Sequence, residues 1–141
     1  MPPPATVPIG LTLTRAARTV ERAFDEALAA AGGSLPVWLV LLSVKTRDAA
    51  NQRELAAAVG IQGATLTHHL SAMEADGLVA RRRDPANRRV QLVTLTDEGE
   101  AAFHRLRAAA VGFDRRLRAG VDDADVATLD DLLERLVGNV S

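Results

Sequence analysis

The 141-residue chain contains no cysteine. It therefore cannot form disulfide bonds, hold zinc through thiolates or respond to oxidants through its own thiols. Lysine is almost absent as well, because Lys45 is the one lysine among 17 basic residues and all the others are arginine. This bias fits a GC-rich genome as well as contacts between guanidinium groups and phosphates.

Long apolar runs are also missing. The longest, Leu35–Val44 (LPVWLVLLSV), reaches about half of the ~20 residues that span a bilayer, so it predicts a buried helix. The Pro-rich tip Met1–Pro4 carries no basic side chain, and no apolar h-region precedes Arg15, so no secretory signal is expected. We expect one compact structural unit located in the cytoplasm.

The sequence lacks the common catalytic signatures: no G-x-S-x-G, Walker glycine loop, G-x-G-x-x-G or H-E-x-x-H occurs. Its three histidines, His68, His69 and His104, have no cysteine or clustered carboxylate beside them to complete a zinc site. We expect no enzyme activity, no catalytic residue, no metal and no cofactor.

Charge is distributed unevenly, although the net charge is only −1. Residues 1–50 hold five cations and four anions, residues 51–96 six and four, and residues 97–141 six and ten. Five arginines stand against one aspartate within residues 81–89. Local clusters govern attraction to phosphate more than total charge does, so the middle of the chain is the candidate site for a polyanion.

The N-terminal third predicts two helices. Apolar residues at steps of three and four run from Leu13 to Ala31, and the Gly-Gly pair that follows ends this helix. Ser34 is placed to cap a second helix, which continues through the longest apolar run to about Thr46. Pro36 falls in its first turn, where no amide partner is lost.

Two short helices follow. Asn51 and Glu54 form an N-x-x-E capping pattern, and the helix that they open ends at Gly60. The next helix begins at about Gly63 and stops at Gly77. A turn of about four residues between two such helices is the spacing of a helix-turn-helix.

The second helix of this pair has a well-defined inner face. Leu66, Leu70 and Met73 recur at i, i+4 and i+7 and so predict the buried side, with His69 nearer the core than His68. The opposite side is small and hydrogen-bonding, which lets a helix approach the major groove of DNA closely. The candidate DNA contacts on it are Ala64, Thr65, Thr67, His68, Ser71 and Ala72.

Two segments rich in valine and leucine then predict a β-hairpin. They are Leu78–Arg83 and Val90–Leu95, and the residues between them favour a loop. A basic hairpin directly after a helix-turn-helix looks like a wing that lies along the DNA backbone and places an arginine in the minor groove. Its candidate contacts are Arg81, Arg83, Arg88 and Arg89, and the candidate supports of its turn are Asp84 and Asn87.

Two amphipathic helices are predicted after the wing, one capped by Thr96 and one beginning at Asp122. The apolar stripes of the terminal helices exceed what one small domain needs. We therefore assign residues 1–34 and 97–141 to a dimer interface and residues 35–96 to the DNA-binding region. The alternative is a bundle formed within one chain.

Residues Asn51–Gly99 resemble the winged helix-turn-helix of the MarR (multiple antibiotic resistance regulator) family of bacterial transcription regulators. The resemblance rests on the QRELA opening, the LTHHLSAMEADGLV helix and the RRRDPANRR…LTDEG wing. It implies a mainly α fold with a small β-hairpin wing, and a homodimer that binds palindromic operator DNA, often as a repressor. It also implies half-sites about 34–36 Å apart and an Arg89 that reaches the minor groove.

Two positions depart from the family pattern. Asn87 stands where aspartate is usual, which reduces the Asp–Arg salt bridge that braces the wing to a neutral hydrogen bond at best. His68 stands where arginine is frequent. Similar proteins often bind a small, frequently aromatic anion between the dimer helices and the winged domain, which releases the DNA. For such a pocket we expect the residues Trp38, Leu42, Lys45 and Phe103. The alternative is that Trp38 and Phe103, which lie on apolar faces, belong to the core.

A second function stays open at this point. The winged domain could bind a protein without binding an operator, while the acidic C-terminal helices keep DNA away. Salt dependence separates the two functions, because binding through several arginines weakens steeply as salt rises and binding through an apolar protein interface does not.

Overall fold

A computed structural model describes residues 7–47 and 50–141, so the Pro-rich tip Met1–Pro4 lies outside the described part. The mainly α fold with a β-hairpin wing is confirmed. The elements in chain order are α1 (Ile9–Ala30), α2 (Leu35–Arg47), β1 (Ala50–Asn51), α3 (Gln52–Val59), α4 (Gly63–Ala75), β2 (Val79–Arg83), β3 (Gln91–Leu95), α5 (Asp97–Leu117) and α6 (Asp123–Gly138).

Side-chain caps set the beginnings of four helices, each at the residue that the sequence predicts. In every case a side-chain oxygen accepts a hydrogen bond from a backbone N–H of the first turn, which would otherwise have no partner within the helix. The caps, with the residue whose amide donates, are Ser34 with Val37 (3.3 Å), Asn51 with Glu54 (2.8 Å), Thr96 with Gly99 (3.0 Å) and Asp122 with Asp125 (2.9 Å).

Each helix of the helix-turn-helix is followed by a glycine. Gly60 ends α3 with a φ of 77°, and Gly77 follows α4 with a φ of 78°. Residues other than glycine rarely adopt this left-handed backbone conformation, so glycine at these positions fixes where each helix stops. The predicted pair of helices and its connecting turn are therefore present as expected.

The sheet has one strand more than the sequence predicts. β2 and β3 form the expected antiparallel hairpin, with Val79 opposite Leu95 and Arg83 opposite Gln91. In addition, β1 pairs with the other edge of β3, which gives the strand order β1-β3-β2. A strand of two residues is too short to produce an alternating pattern. It nevertheless ties the beginning of α3 to the wing.

The chain divides into two compact units, residues 1–110 and residues 111–141. The core of the first unit gathers apolar side chains from its helices and its sheet, and α2 lies within it as predicted. Its fully buried members include Leu28, Val40, Leu41, Val44, Leu55, Leu66, Leu70, Val93 and Leu106. In the second unit, α6 contains no buried residue.

No single helix in the described part of the chain is long and apolar enough to cross a membrane. One bent pair, α1 with α2 at 76°, meets the length and composition requirements jointly.

Apolar side chains stay exposed on the terminal helices. Ile9 of α1 is 65% exposed and Leu129 of α6 is 55% exposed. Val140, which continues the predicted stripe of α6, lies beyond the end of that helix and is also exposed. Exposed apolar surface of this kind is typical of sites where another protein surface binds.

Gly99, in the first turn of α5, gives a test of the packing between this helix and the wing. A Cβ atom at this position would overlap the carbonyl oxygen of Leu78, which is backbone and cannot rotate away. We expect Gly99→Ala to lower the free energy of unfolding by about 1–3 kcal/mol.

Gly112 of the same helix serves as the control, because an added Cβ there meets nothing within 4 Å. We expect Gly112→Ala to raise the free energy of unfolding by about 0.4–1 kcal/mol. Urea denaturation of both variants gives the comparison. Equal stability of Gly99→Ala and the unaltered chain would contradict the close approach.

Candidate nucleic-acid interface

The outer side of α4 is the first part of the candidate interface. Leu66, Leu70 and Met73 are buried, as predicted, and His69 is half-buried. A helix held by three core side chains presents its opposite side to solvent. The six predicted contact residues are all exposed: Ala64, Thr65, Thr67, His68, Ser71 and Ala72.

Two of the three hydroxyl groups on this side, those of Thr67 and Ser71, are already hydrogen-bonded within the protein. The Thr67 hydroxyl donates to the carbonyl oxygen of Gly63 at 2.9 Å and accepts a hydrogen bond from the Gln52 side-chain amide. The Ser71 Oγ accepts a hydrogen bond from Arg81 Nη2 at 3.2 Å. Sequence reasoning missed Gln52, because its bond joins α3 to α4 across 15 positions.

The wing arginines are not equivalent. Arg82, Arg83, Arg88 and Arg89 are exposed. The side chain of Arg81 is only 18% exposed, because its guanidinium lies 3.0 Å from Glu74 Oε1 on α4. Among the four predicted contacts of the wing, Arg81 is therefore paired within the protein, whereas Arg83, Arg88 and Arg89 are exposed.

Glu74 holds Arg81 from two directions. Its carboxylate accepts from the guanidinium and, at 3.2 Å, from the backbone N–H of Arg81. These two hydrogen bonds to Arg81 hold the pKa of Glu74 below its usual value. The carboxylate therefore stays ionised, and the bond between recognition helix and wing persists, to a lower pH than for an unpaired glutamate.

A compact turn closes the wing. Asp84 Oδ1 accepts from the Ala86 amide at 2.9 Å, and the Asn87 carbonyl accepts from the Val90 amide at 2.9 Å. Asn87 Oδ1 accepts from the backbone N–H of Arg89 at 3.2 Å. The expected neutral hydrogen bond of Asn87 is thus present, but it goes to the main chain of Arg89. The guanidinium of Arg89 stays exposed.

A cleft of about 390 Å³ lies between the beginning of α3 and the wing. Arg53 and Arg89 both line it, so two arginines from separate elements contribute to one concave surface. Sequence reasoning missed Arg53. The available signal was a basic residue in the first turn of the first helix of the pair.

Three of the residues predicted to line a ligand pocket, Trp38, Lys45 and Phe103, form a cluster between α2 and α5. The rings of Trp38 and Phe103 stack with their centroids 5.5 Å apart, and both side chains are 7% exposed. Lys45 Nζ lies 5.8 Å from the Phe103 centroid and 2.8 Å from Glu100, while Leu42 is exposed. The two aromatic rings therefore pack against each other as core residues do.

A larger cavity of about 630 Å³ lies between α1, α2 and the turn that joins α3 to α4. It combines an apolar floor with charged side chains of α1. The residues that line it are Arg18, Glu21, Arg22, Asp25, Leu35, Pro36, Leu39, Val59 and Ile61.

Comparison with known proteins identifies a family that has these features. The sequence profile of the MarR family matches residues 34–90, which run from the cap of α2 to the wing. The repressor CouR of Rhodococcus jostii RHA1, solved bound to a 23-mer DNA duplex, is 28% identical, with a TM-score of 0.84 over 91% of both chains. Residues 34–90 are a MarR-family domain.

Two further proteins are similar to this chain. BpsR of Bordetella bronchiseptica, whose DNA binding is regulated by 6-hydroxynicotinic acid, is 25% identical, with a TM-score of 0.81 over 92% of this chain and 98% of its own. The uncharacterized HTH-type transcriptional regulator YdgJ of Bacillus subtilis is 33% identical over 94 residues. That match covers 67% of this chain and 57% of YdgJ.

The turn geometry of this MarR-family wing can be tested directly. Asn87→Ala removes the acceptor of the Arg89 amide, so we expect that amide to exchange its hydrogen about two- to tenfold faster, the effect of losing one exposed hydrogen bond. Asn87→Asp keeps an acceptor and should keep the protection. Hydrogen exchange followed by NMR measures both, and equal exchange in Asn87→Ala and the unaltered protein would remove the assigned bond.

Proposed function

We propose that the chain is a sequence-specific double-stranded DNA-binding transcriptional regulator, acting as a homodimeric repressor that a small molecule releases. The observation that carries the proposal is the continuity of α4 with the wing. Arg81 of β2 donates to Ser71 on the outer side of α4, so the strand that carries the arginines runs beside the recognition helix. One surface then offers small polar groups for base edges and guanidinium groups for phosphates.

Each part of this surface has its own role in the proposal. The outer side of α4 enters the major groove, with Ala64, Thr65, Thr67, His68, Ser71 and Ala72 at the bases or the neighbouring phosphates. The exposed arginines of the wing, Arg83, Arg88 and Arg89, contact the backbone and the minor groove. Arg53 joins them at the cleft, where it adds a further phosphate contact that the sequence did not indicate.

A homodimer explains the exposed apolar side chains of the terminal helices. A second copy that covers them would remove apolar surface from water, at about 25 cal/mol for each Å². Two recognition helices then meet half-sites one helical turn apart, about 34–36 Å. The 23-mer duplex bound by CouR spans roughly two turns of DNA, which is room for two such half-sites.

The distribution of charge favours DNA binding over the alternative of a protein-interaction module. The exposed wing arginines lie beside a recognition helix that carries no basic side chain other than its histidines. An apolar protein interface does not need such a basic rim, whereas a phosphate backbone does. A regulator of this kind acts in the cytoplasm at the nucleoid and needs no catalytic residue.

The cavity of about 630 Å³ is the effector site that we propose. Its size suits a small organic ligand, its floor is apolar, and Arg18 and Arg22 line its α1 wall together with Glu21 and Asp25. The ligand class that we propose for it is a small aromatic carboxylate, because 6-hydroxynicotinic acid regulates DNA binding of BpsR and the arginines can pair with a carboxylate. The predicted cluster of Trp38, Leu42, Lys45 and Phe103 stays a second candidate for the same ligand class.

Substitution of Arg89 tests the DNA-binding role of the wing. We expect Arg89→Ala to weaken binding to every duplex and to reduce the slope of log K against log salt by about 1 for each phosphate that it no longer neutralises. Duplexes selected from random DNA with the purified protein supply the probes, and fluorescence anisotropy at several salt concentrations measures the slope.

Arg105→Ala is the matched control for Arg89→Ala, because Arg105 is an exposed arginine of α5 outside the proposed surface and its removal changes the net charge equally. We expect its salt slope to equal that of the unaltered chain. The same affinity and slope in Arg89→Ala and the unaltered chain would defeat the wing assignment.

Paired substitutions decide between the two effector sites. We expect Arg22→Ala to weaken binding of 6-hydroxynicotinic acid or benzoate by about tenfold or more, since a charge-assisted hydrogen bond contributes roughly 1.5–3 kcal/mol. Lys45→Ala should leave it unchanged. Isothermal titration calorimetry on both variants gives the answer, and the opposite result would move the site to the cluster of Trp38 and Phe103.

A further inference from the structure

Several polar side chains of α4 accept hydrogen bonds from neighbouring elements of the protein, although this helix carries the proposed DNA-binding surface. Three hydrogen bonds from side chains of other elements end on this helix: Gln52 of α3 donates to Thr67, and the Arg81 guanidinium donates to Ser71 and to Glu74. A fourth comes from the Arg81 backbone N–H to Glu74. These bonds end on the side chains of α4, including two that face outward.

We infer that Arg81 and Glu74 are positioning residues for DNA recognition, which hold Ser71 as a hydrogen-bond donor toward the major groove. This inference rests on the proposed DNA-binding function. Arg81 lies next to the exposed arginines of the wing in the sequence, but the inference assigns it a different role.

The surroundings of Arg81 carry the first step. Its guanidinium donates to the carboxylate of Glu74 at 3.0 Å and to Ser71 at 3.2 Å, and its side chain is 18% exposed. An arginine neutralised by a neighbouring carboxylate has less charge with which to neutralise a DNA phosphate than an exposed one, so it displaces fewer of the cations condensed on the DNA. It therefore adds little to the counterion release that drives phosphate binding.

The hydrogen-bond capacity of Ser71 carries the second step. A hydroxyl group has one donor and two acceptor positions. Because Arg81 occupies an acceptor position of Ser71, the group offers its hydrogen to an outside acceptor. In the major groove the acceptors are N7 and O6 of guanine, N7 of adenine and O4 of thymine.

Thr67 has the opposite arrangement. Its hydroxyl hydrogen is donated to the Gly63 carbonyl, and Gln52 occupies one acceptor position. The hydroxyl cannot donate to a base without breaking the bond to Gly63. Its methyl group is the part left for a thymine methyl. On α4, Ser71 is thus the residue whose hydroxyl group is held by Arg81 and can donate its hydrogen to an acceptor on a base.

The experiment compares the unaltered protein with Arg81→Ala, Ser71→Ala and Arg89→Ala. We measure the salt slope of DNA binding for each, and the base preference of each among duplexes in which one operator position at a time is changed. Thermal unfolding followed by circular dichroism verifies that each variant is folded at the assay temperature.

For Arg81→Ala we expect an unchanged salt slope and a weaker preference at the base position that Ser71→Ala also affects. The discrimination there should fall about fivefold or more, the range for one base contact. The double variant Arg81→Ala/Ser71→Ala should lose little further base preference beyond either single variant, because both substitutions remove the same contact. Arg89→Ala should reduce the slope and leave the preference at that position intact.

Glu74→Gln provides a second variant that keeps Arg81 in the chain. It removes the charge that neutralises the guanidinium, so we expect the salt slope to become steeper and the preference at the Ser71 position to weaken. A reduced slope in Arg81→Ala, equal to that of Arg89→Ala, would overturn the inference and make Arg81 a phosphate contact. Preserved preference at the Ser71 position in both Arg81→Ala and Glu74→Gln would overturn it too.

These results are distinguishable from failure of the proposed function. If the unaltered protein binds no duplex at low salt, the DNA-binding proposal fails and the positioning role fails with it. If the unaltered protein binds DNA and Arg81 behaves like Arg89, the DNA-binding proposal stands and only the positioning role is withdrawn.

Discussion

The burial of one side of α4 is the constraint on which the rest of the candidate interface depends. Leu66, Leu70 and Met73 lie in the core with almost no exposed surface. A rotation of the helix about its axis would expose them, at about 1.5–3 kcal/mol for each side chain. The side that faces outward is therefore fixed by the hydrophobic core. A DNA-binding surface on that side inherits the rigidity of the core, with little entropy to lose on binding.

The wing extends this rigid surface through polar contacts. β1 pairs with one edge of β3 and β2 with the other, and Glu74 holds Arg81 at the near end of the hairpin. The remaining arginines stay exposed. One basic residue is thus used to orient the hairpin, and the others are left for a polyanion. The net charge of −1 conceals this division, because the excess of acidic residues lies after residue 96.

The predictable and unpredictable features of this chain differ in how far apart their residues lie. Helix periodicity and N-caps act within a few positions, so the sequence predicts both α4 and its buried side. β1 has only two residues, too few for a pattern. The bonds of Arg81 to Ser71 and of Gln52 to Thr67 join separate elements. The resemblance suggests Trp38 and Phe103 as pocket residues, and the apolar pattern marks them as buried, but neither shows that the two rings stack on each other.

The two candidate effector sites differ in the elements through which a ligand would act. The cavity includes Val59 and Ile61, which flank Gly60 at the turn between α3 and α4. A ligand there pushes on the segment that sets where α4 begins, whereas the cluster of Trp38 and Phe103 joins α2 to α5. A coupling of only ~1–3 kcal/mol changes affinity for DNA about 5- to 150-fold. A small displacement at this turn, repeated in both subunits, changes the separation of two recognition helices that must fit successive grooves, so the cavity is the shorter route from ligand to DNA.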